Sequence, residues 1–218
     1  MTKGLFPDNS NPKIDMFDKE MTFYQFNSII AKQPDGVILL EGRRSIPPDE
    51  FQRAIHLARF LAIEFPHLRF RSGNAEGSDQ AFSEGVAKVD ASRLQIIAPY
   101  TSHRKNLRFA GAIYDSPSSM SHDHEAEIAH KTVSATPNNK GLIENRGDKG
   151  RLAAKAAYLI RDTMKVVGHS DLFPKPICGL FYVDLKAPMT GGTGHTIRVC
   201  QQEGVTVILQ NSWKKWTA

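Results

Sequence analysis

The sequence predicts an α/β protein of the Rossmann-like, doubly wound class, with a mainly parallel sheet of about five strands and helices on both faces. Short apolar runs, suited to strands covered on both sides, alternate with longer segments of helical periodicity. Such alternation implies right-handed crossovers, so the carboxyl ends of the strands gather along one edge, where ligands bind in open α/β sheets.

The elements follow in chain order. Residues 1–34 read as an N-terminal extension. Within it Met1–Pro12 is polar, while Thr22 and Gln25 have capping-box spacing and Met21 and Phe26 the spacing of a hydrophobic staple. A short helix through about Ile30, packed on the core, is expected. The domain itself spans 35–218. Val37–Leu40 is the first strand. Phe51, Ala54, Ile55, Ala58, Leu61 and Ala62 recur at helical spacing between Pro47-Pro48 and Pro66. Leu68–Arg71 reads as a strand, Ser78 to about Val89 as a helix, and Leu94–Ala98 as a strand ended by Pro99. The alternation then gives way, over about 100–147, to an insert rich in Ser, Asn, His and Pro with one short helix near Glu125–Lys131. Lys149–Val167 is the next helix, Ile177–Asp184 a buried strand, Gly194–Glu203 a helix and Val205–Leu209 the last strand.

Composition narrows the function. The chain of 218 residues is long enough to bury one large core unaided. Its two cysteines, Cys178 and Cys200, are too few for a disulfide framework and read as reduced core thiols. No run is apolar enough to span a bilayer and no export signal is visible, so a cytoplasmic protein without membrane partners is expected. A net charge of +5 and a pI near 9.2 favour anionic partners, nucleotides as much as nucleic acid.

Three strand-following loops carry unusual chemistry. In 189–199, MTGGTGHTIRV, the turn Gly191-Gly192-Thr193-Gly194 allows close backbone approach, and the following helix offers unpaired N–H groups, an arrangement that suits phosphate. Thr193, His195 and Thr196 add donors, with no acid nearby in the sequence. In Ser72-Gly-Asn-Ala-Glu-Gly-Ser-Asp79 the acids Glu76 and Asp79 crowd the helix start, where they stabilise the helix dipole or meet ribose hydroxyls, a base edge or a magnesium ion. Arg43 and Arg44 after the first strand can pair with an anion.

Val37-Ile-Leu-Leu-Glu-Gly-Arg-Arg44, Phe70–Asp79, Leu159-Ile-Arg-Asp162 and Gly191–Thr196, in this order, resemble the SLOG superfamily, the Rossmann-like nucleotide-binding group that includes LOG-type phosphoribohydrolases and DprA-type proteins. The resemblance covers about 36–209 outside the insert. It implies a nucleotide site built from Gly42, Arg43, Arg44, Ser72, Gly73, Asn74, Gly77, Ser78, Asp79, Arg161 and Gly191 to Thr196. LOG-type enzymes place a catalytic glutamate after the Gly-Gly turn; here that position is Arg198, which removes the acid that would stabilise a cationic sugar.

The leading expectation is therefore a homo-oligomeric protein that senses or processes a nucleotide or nucleotide derivative, with no cofactor beyond magnesium accompanying the nucleotide. One alternative is a DprA-like protein binding single-stranded DNA, with Trp213 and Trp216 stacking on bases. Another is an N-glycosidic nucleotide hydrolase in which Glu76 or Asp79 replaces the missing glutamate. No metal site is expected: His124 and His130 lie six residues apart and point to different helix faces.

Overall fold

The computed structural model describes residues 20–146 and 150–217. Met1–Pro12 and Lys149 lie outside them. The apolar run after Gly36 forms β1 (Val37–Gly42), buried at every position because helices cover both faces. It pairs in parallel with β2 (Arg69–Ser72) on one side and β5 (Cys178–Tyr182) on the other. With β3 (Leu94–Ile97), β4 (Ile113–Asp115) and β6 (Thr206–Leu209) the sheet has six parallel strands in the order β4-β3-β2-β1-β5-β6. The chain thus steps outward from β1 and returns to its other side at β5. The crevice of this α/β architecture opens where that reversal occurs, beyond the ends of β1 and β5.

Alternation along β1 divides the core. Ile38 and Leu40 join the cluster of α1 (Phe23–Ile30), α2 (Pro48–Glu64) and α3 (Ser78–Asp90), whereas Leu39 faces the cluster containing Val166 and Ile197. On that second face lie α4 (His122–Ala135), α5 (Lys140–Glu144), α6 (Arg151–Val167) and α7 (Gly191–Glu203). Arg71 fixes the end of α6: it donates to the Lys165 carbonyl at 2.9 Å and twice to Gln95 Oε1. A cation there complements the helix dipole, although burial pushes the Arg71 guanidinium down to about 9.

Three expectations are corrected. The sheet has six strands rather than five, because the segment expected as an insert supplies edge strand β4 as well as α4 and α5. The short helix expected near Glu125–Lys131 is the 14-residue α4. The helix expected from Gly194 begins at Gly191, so the glycine turn is the first turn of α7.

The capping box on α1 forms as expected, with Gln25 N–H donating to Thr22 Oγ1 and Thr22 N–H to Gln25 Oε1. After β6, α8 (Gln210–Trp213) leads to a tail that returns to α1. Trp216 donates its indole N–H to the Met21 carbonyl at 2.9 Å and packs on Phe26, with ring centroids 4.6 Å apart. No helix among the described residues is long and apolar enough to cross a membrane.

Candidate functional site

A cavity of about 770 Å³ opens at the reversal point. The turn after β1 and the start of α3 are stitched together along one side of it. Ser78 donates its backbone N–H at 3.0 Å and its hydroxyl at 2.9 Å to the Arg43 carbonyl, and Gly42 N–H donates to Asp79 Oδ1 at 3.2 Å. This closeness demands glycine at position 77, where φ is +74° and a Cβ would lie 2.2 Å from the Arg44 carbonyl oxygen.

Beneath the cavity lies a buried cluster of charges. Lys165, fully buried on α6, bonds Glu41 Oε2 at 2.6 Å and stands 2.9 Å from Asp162 Oδ1. Arg161 Nε is 2.8 Å from the same Asp162 oxygen, and its guanidinium donates to the Gly73 carbonyl. Thr196 completes the set by donating to Glu41 Oε1 at 3.1 Å. Burial pushes the Glu41 carboxyl up from 4.5 to about 7; Lys165 pulls it down, while Asp162 and Asp79 push it further up. Asp162 behaves oppositely. Burial opposes its ionisation, but Arg161 and Lys165 hold it below the usual carboxylate range. Lys165 is disfavoured as a cation by burial and by Arg161, yet its three acidic neighbours hold it above its ordinary value.

The far wall is the amino end of α7. A Cβ on Gly191 would meet nothing within 4 Å, so this turn is open to the cavity, whereas one on Gly194 would strike the Met189 backbone at 2.1 Å. Gly194 is needed for packing. The expectation that no acid stands near the turn is corrected: Asp162 Oδ2 would lie 3.2 Å from a Cβ on Gly192. His195 lines the cavity, but Thr136 and Thr163 hydroxyls engage its ring nitrogens at 2.8 and 3.0 Å, and burial lowers its affinity for a second proton. Arg198 donates to the Met189 carbonyl at 2.8 Å and to Thr136, rather than pairing with Glu76 or Asp79.

The anticipated residues thus divide into two groups. Gly42, Arg43, Arg44, Asp79, Arg161, Gly191, Gly192, Thr193 and His195 line the cavity. Ser72, Gly73, Asn74, Glu76, Gly77, Ser78, Gly194 and Thr196 lie outside its lining, several of them holding the lining in place. Sequence reasoning missed Lys165, Tyr158 and Lys155, all on α6. Three charges beside buried Ile160, Met164 and Val166 were the available signal for an ion-paired floor. Trp213 is buried and Trp216 packed, so the tryptophan tail is occupied by core contacts. Among the described residues no cluster of three or more His, Cys, Asp or Glu is placed to hold a metal.

No family model and no curated protein matches the sequence. Among solved structures the chain is similar to DNA processing protein A from Helicobacter pylori, described for its single-stranded DNA binding mode, at 16% identity and a TM-score of 0.43, covering 82% of this chain and 67% of that one.

Proposed function

We propose that the cavity binds a nucleotide, with sugar hydroxyls over the acidic floor and a phosphate at the amino end of α7. The observation that carries this reading is the combination of chemistries in one crevice. The open first turn of α7 and the rim cations Arg43, Arg44 and Lys155 suit an anion, while Asp79, Glu41 and Asp162 below supply acceptors for hydroxyls. Arg161 and Lys165 balance Asp162, which keeps that acid compatible with a phosphate nearby. Magnesium enters only as the companion of the nucleotide.

Binding without cleavage is the form we favour. Asp79 accepts the Gly42 N–H and Glu76 lies outside the cavity lining, so neither offers an unencumbered carboxylate to a developing sugar cation. Calorimetry with a panel of nucleoside mono- and diphosphates tests binding, and chromatography for free base tests cleavage. Micromolar or tighter binding with no base release is the expected result; turnover abolished by Asp79→Asn would instead establish a hydrolase. A protein tracking single-stranded DNA would show affinity falling steeply with salt, whereas a one-nucleotide cavity depends on salt only modestly.

A further inference from the structure

Beside the cavity, on its β2–β3 side, stand His103 and Arg104, which the nucleotide reading does not use, next to the rim cation Arg44. The segment after β3 lays His103 and Arg104 over the 72–79 junction. Arg104 donates to the Asn74 carbonyl at 3.1 Å and to Gln80 Oε1 at 3.2 Å, both neutral acceptors. Asn74 and Arg104 are also the two non-glycine residues with positive φ among those described, at 54° and 43°. Asparagine adopts left-handed backbone readily, but arginine does so at a cost, and strain of this kind concentrates at ligand sites.

Tyr158 links this group to the cavity that it lines. Arg44 lies over its ring at 5.2 Å, Arg161 at 5.5 Å, and His103 meets it edge-on at 5.7 Å. Burial drives His103 toward its neutral form, and the nearby Arg161, Arg104 and Arg44 act in the same direction. Of the three arginines, Arg161 has its carboxylate in Asp162. Arg44 and Arg104 have none among the described residues, so positive charge is left uncompensated here.

We propose that Arg44, His103 and Arg104 form a second anion subsite continuous with the nucleotide cavity past Tyr158, and that the natural ligand is a dinucleotide. This rests on the nucleotide reading above and extends it. The end of β3 lies three strand positions from β5, roughly 14 Å at ordinary strand spacing. A single phosphate cannot touch both α7 and Arg104. Two nucleotide units joined through phosphate can, one seated in the cavity and the other reaching across β1 and β2.

The test is calorimetry with AMP, a diphosphate-bridged dinucleotide (NAD), a phosphodiester-linked one (pApA) and a dA20 oligonucleotide, on the parent protein and on Arg104→Ala. At least one dinucleotide is expected to bind about tenfold more tightly than AMP, the worth of a charge-assisted contact. NAD ahead of pApA identifies a diphosphate bridge, and the reverse order a phosphodiester. Arg104→Ala should erase the gain while AMP affinity stays unchanged. Arg104→Gln, which keeps a donor for the Asn74 carbonyl, should also erase it, with a melting temperature matching the parent's. Equal binding of AMP and both dinucleotides, or equal weakening of all ligands in both variants, would overturn the second subsite and leave the nucleotide cavity standing. Affinity that keeps rising to dA20 would also overturn it, in favour of a strand-binding surface. Failure of AMP and both dinucleotides to bind the parent protein would remove the nucleotide reading itself.

Discussion

The junctions at 72–79 and 188–194 both lead from a strand region into a helix and both are rich in glycine, yet they use glycine for different purposes. At the first, protein atoms fill the space a side chain would need: a Cβ on Gly73 would lie 2.1 Å from the Arg161 guanidinium, and one on Gly77 2.2 Å from the Arg44 carbonyl oxygen. At the second, the space beside Gly191 is empty. One junction is a closed seam between the chain and itself, and the other opens to the cavity at Gly191 while closing on Met189 at Gly194. Glycine content alone cannot separate these roles, because in both cases it reports only that something must come close.

Substitutions can break this contrast at graded cost. Gly77→Ala should be the most damaging, losing about 3 kcal/mol or more, since it combines a forbidden backbone conformation with a backbone clash. Thermal melting would read this as a large drop, and a wild-type melting point would show that the seam tolerates a side chain.

The second prediction concerns the charges behind the closed junction. The folded-state pKa of Glu41 is raised from 4.5 to about 7, so its contribution to stability is fully present below 4.5 and is lost as pH rises through about 7. The full loss is on the order of 3 kcal/mol. His103 and His195, both held below the usual 6.5, act in the opposite sense by weakening the fold as pH falls. The measurement is therefore a difference: between pH 5.5 and 8, Glu41→Gln should lose less stability with rising pH than the parent. Parallel profiles for the two proteins would show that Glu41 ionises normally.

At the open junction the effects shift from stability to binding. Gly192→Val places methyl groups beside Asp162, where the proposed phosphate would sit, so nucleotide affinity should fall at least tenfold, about 1.4 kcal/mol, while the melting point moves little. Unchanged affinity in the folded variant would make the turn a connector only. Gly191→Ala should matter least, costing about 1 kcal/mol for its positive φ and nothing for space.

Much of the scaffold was legible because a strand buried on both faces must be apolar throughout, as β1 is up to Glu41, and because α2 presents its apolar residues at unbroken helical spacing. Strand β4 was not legible. It is only three residues long, half-buried at the edge, and ends in Asp115, so it carries no apolar run. The start of α7 was hidden by glycine's poor helix propensity, which pointed to a loop where the chain had already turned helical. Lys165 was missed for a different reason. Lysine on a helix ordinarily faces water, and its burial rests on pairing with Glu41, 124 positions away in the chain, as well as with Asp162.

The clasp between the 21–26 and 212–216 segments bears on the order in which the core can close. The helix of Phe23 and Phe26 is held in place by Ser212 and Trp216, which bond Met21 from 191 and 195 positions further along the chain. Central strand β1 likewise waits for β5 before its second edge is paired. Until those distant partners dock, the chain displays an aromatic helix and an open strand edge, both of which chaperones and proteases can recognise. Docking of the segment around Trp216 covers that aromatic surface, so closure of the core depends on its most distant contacts.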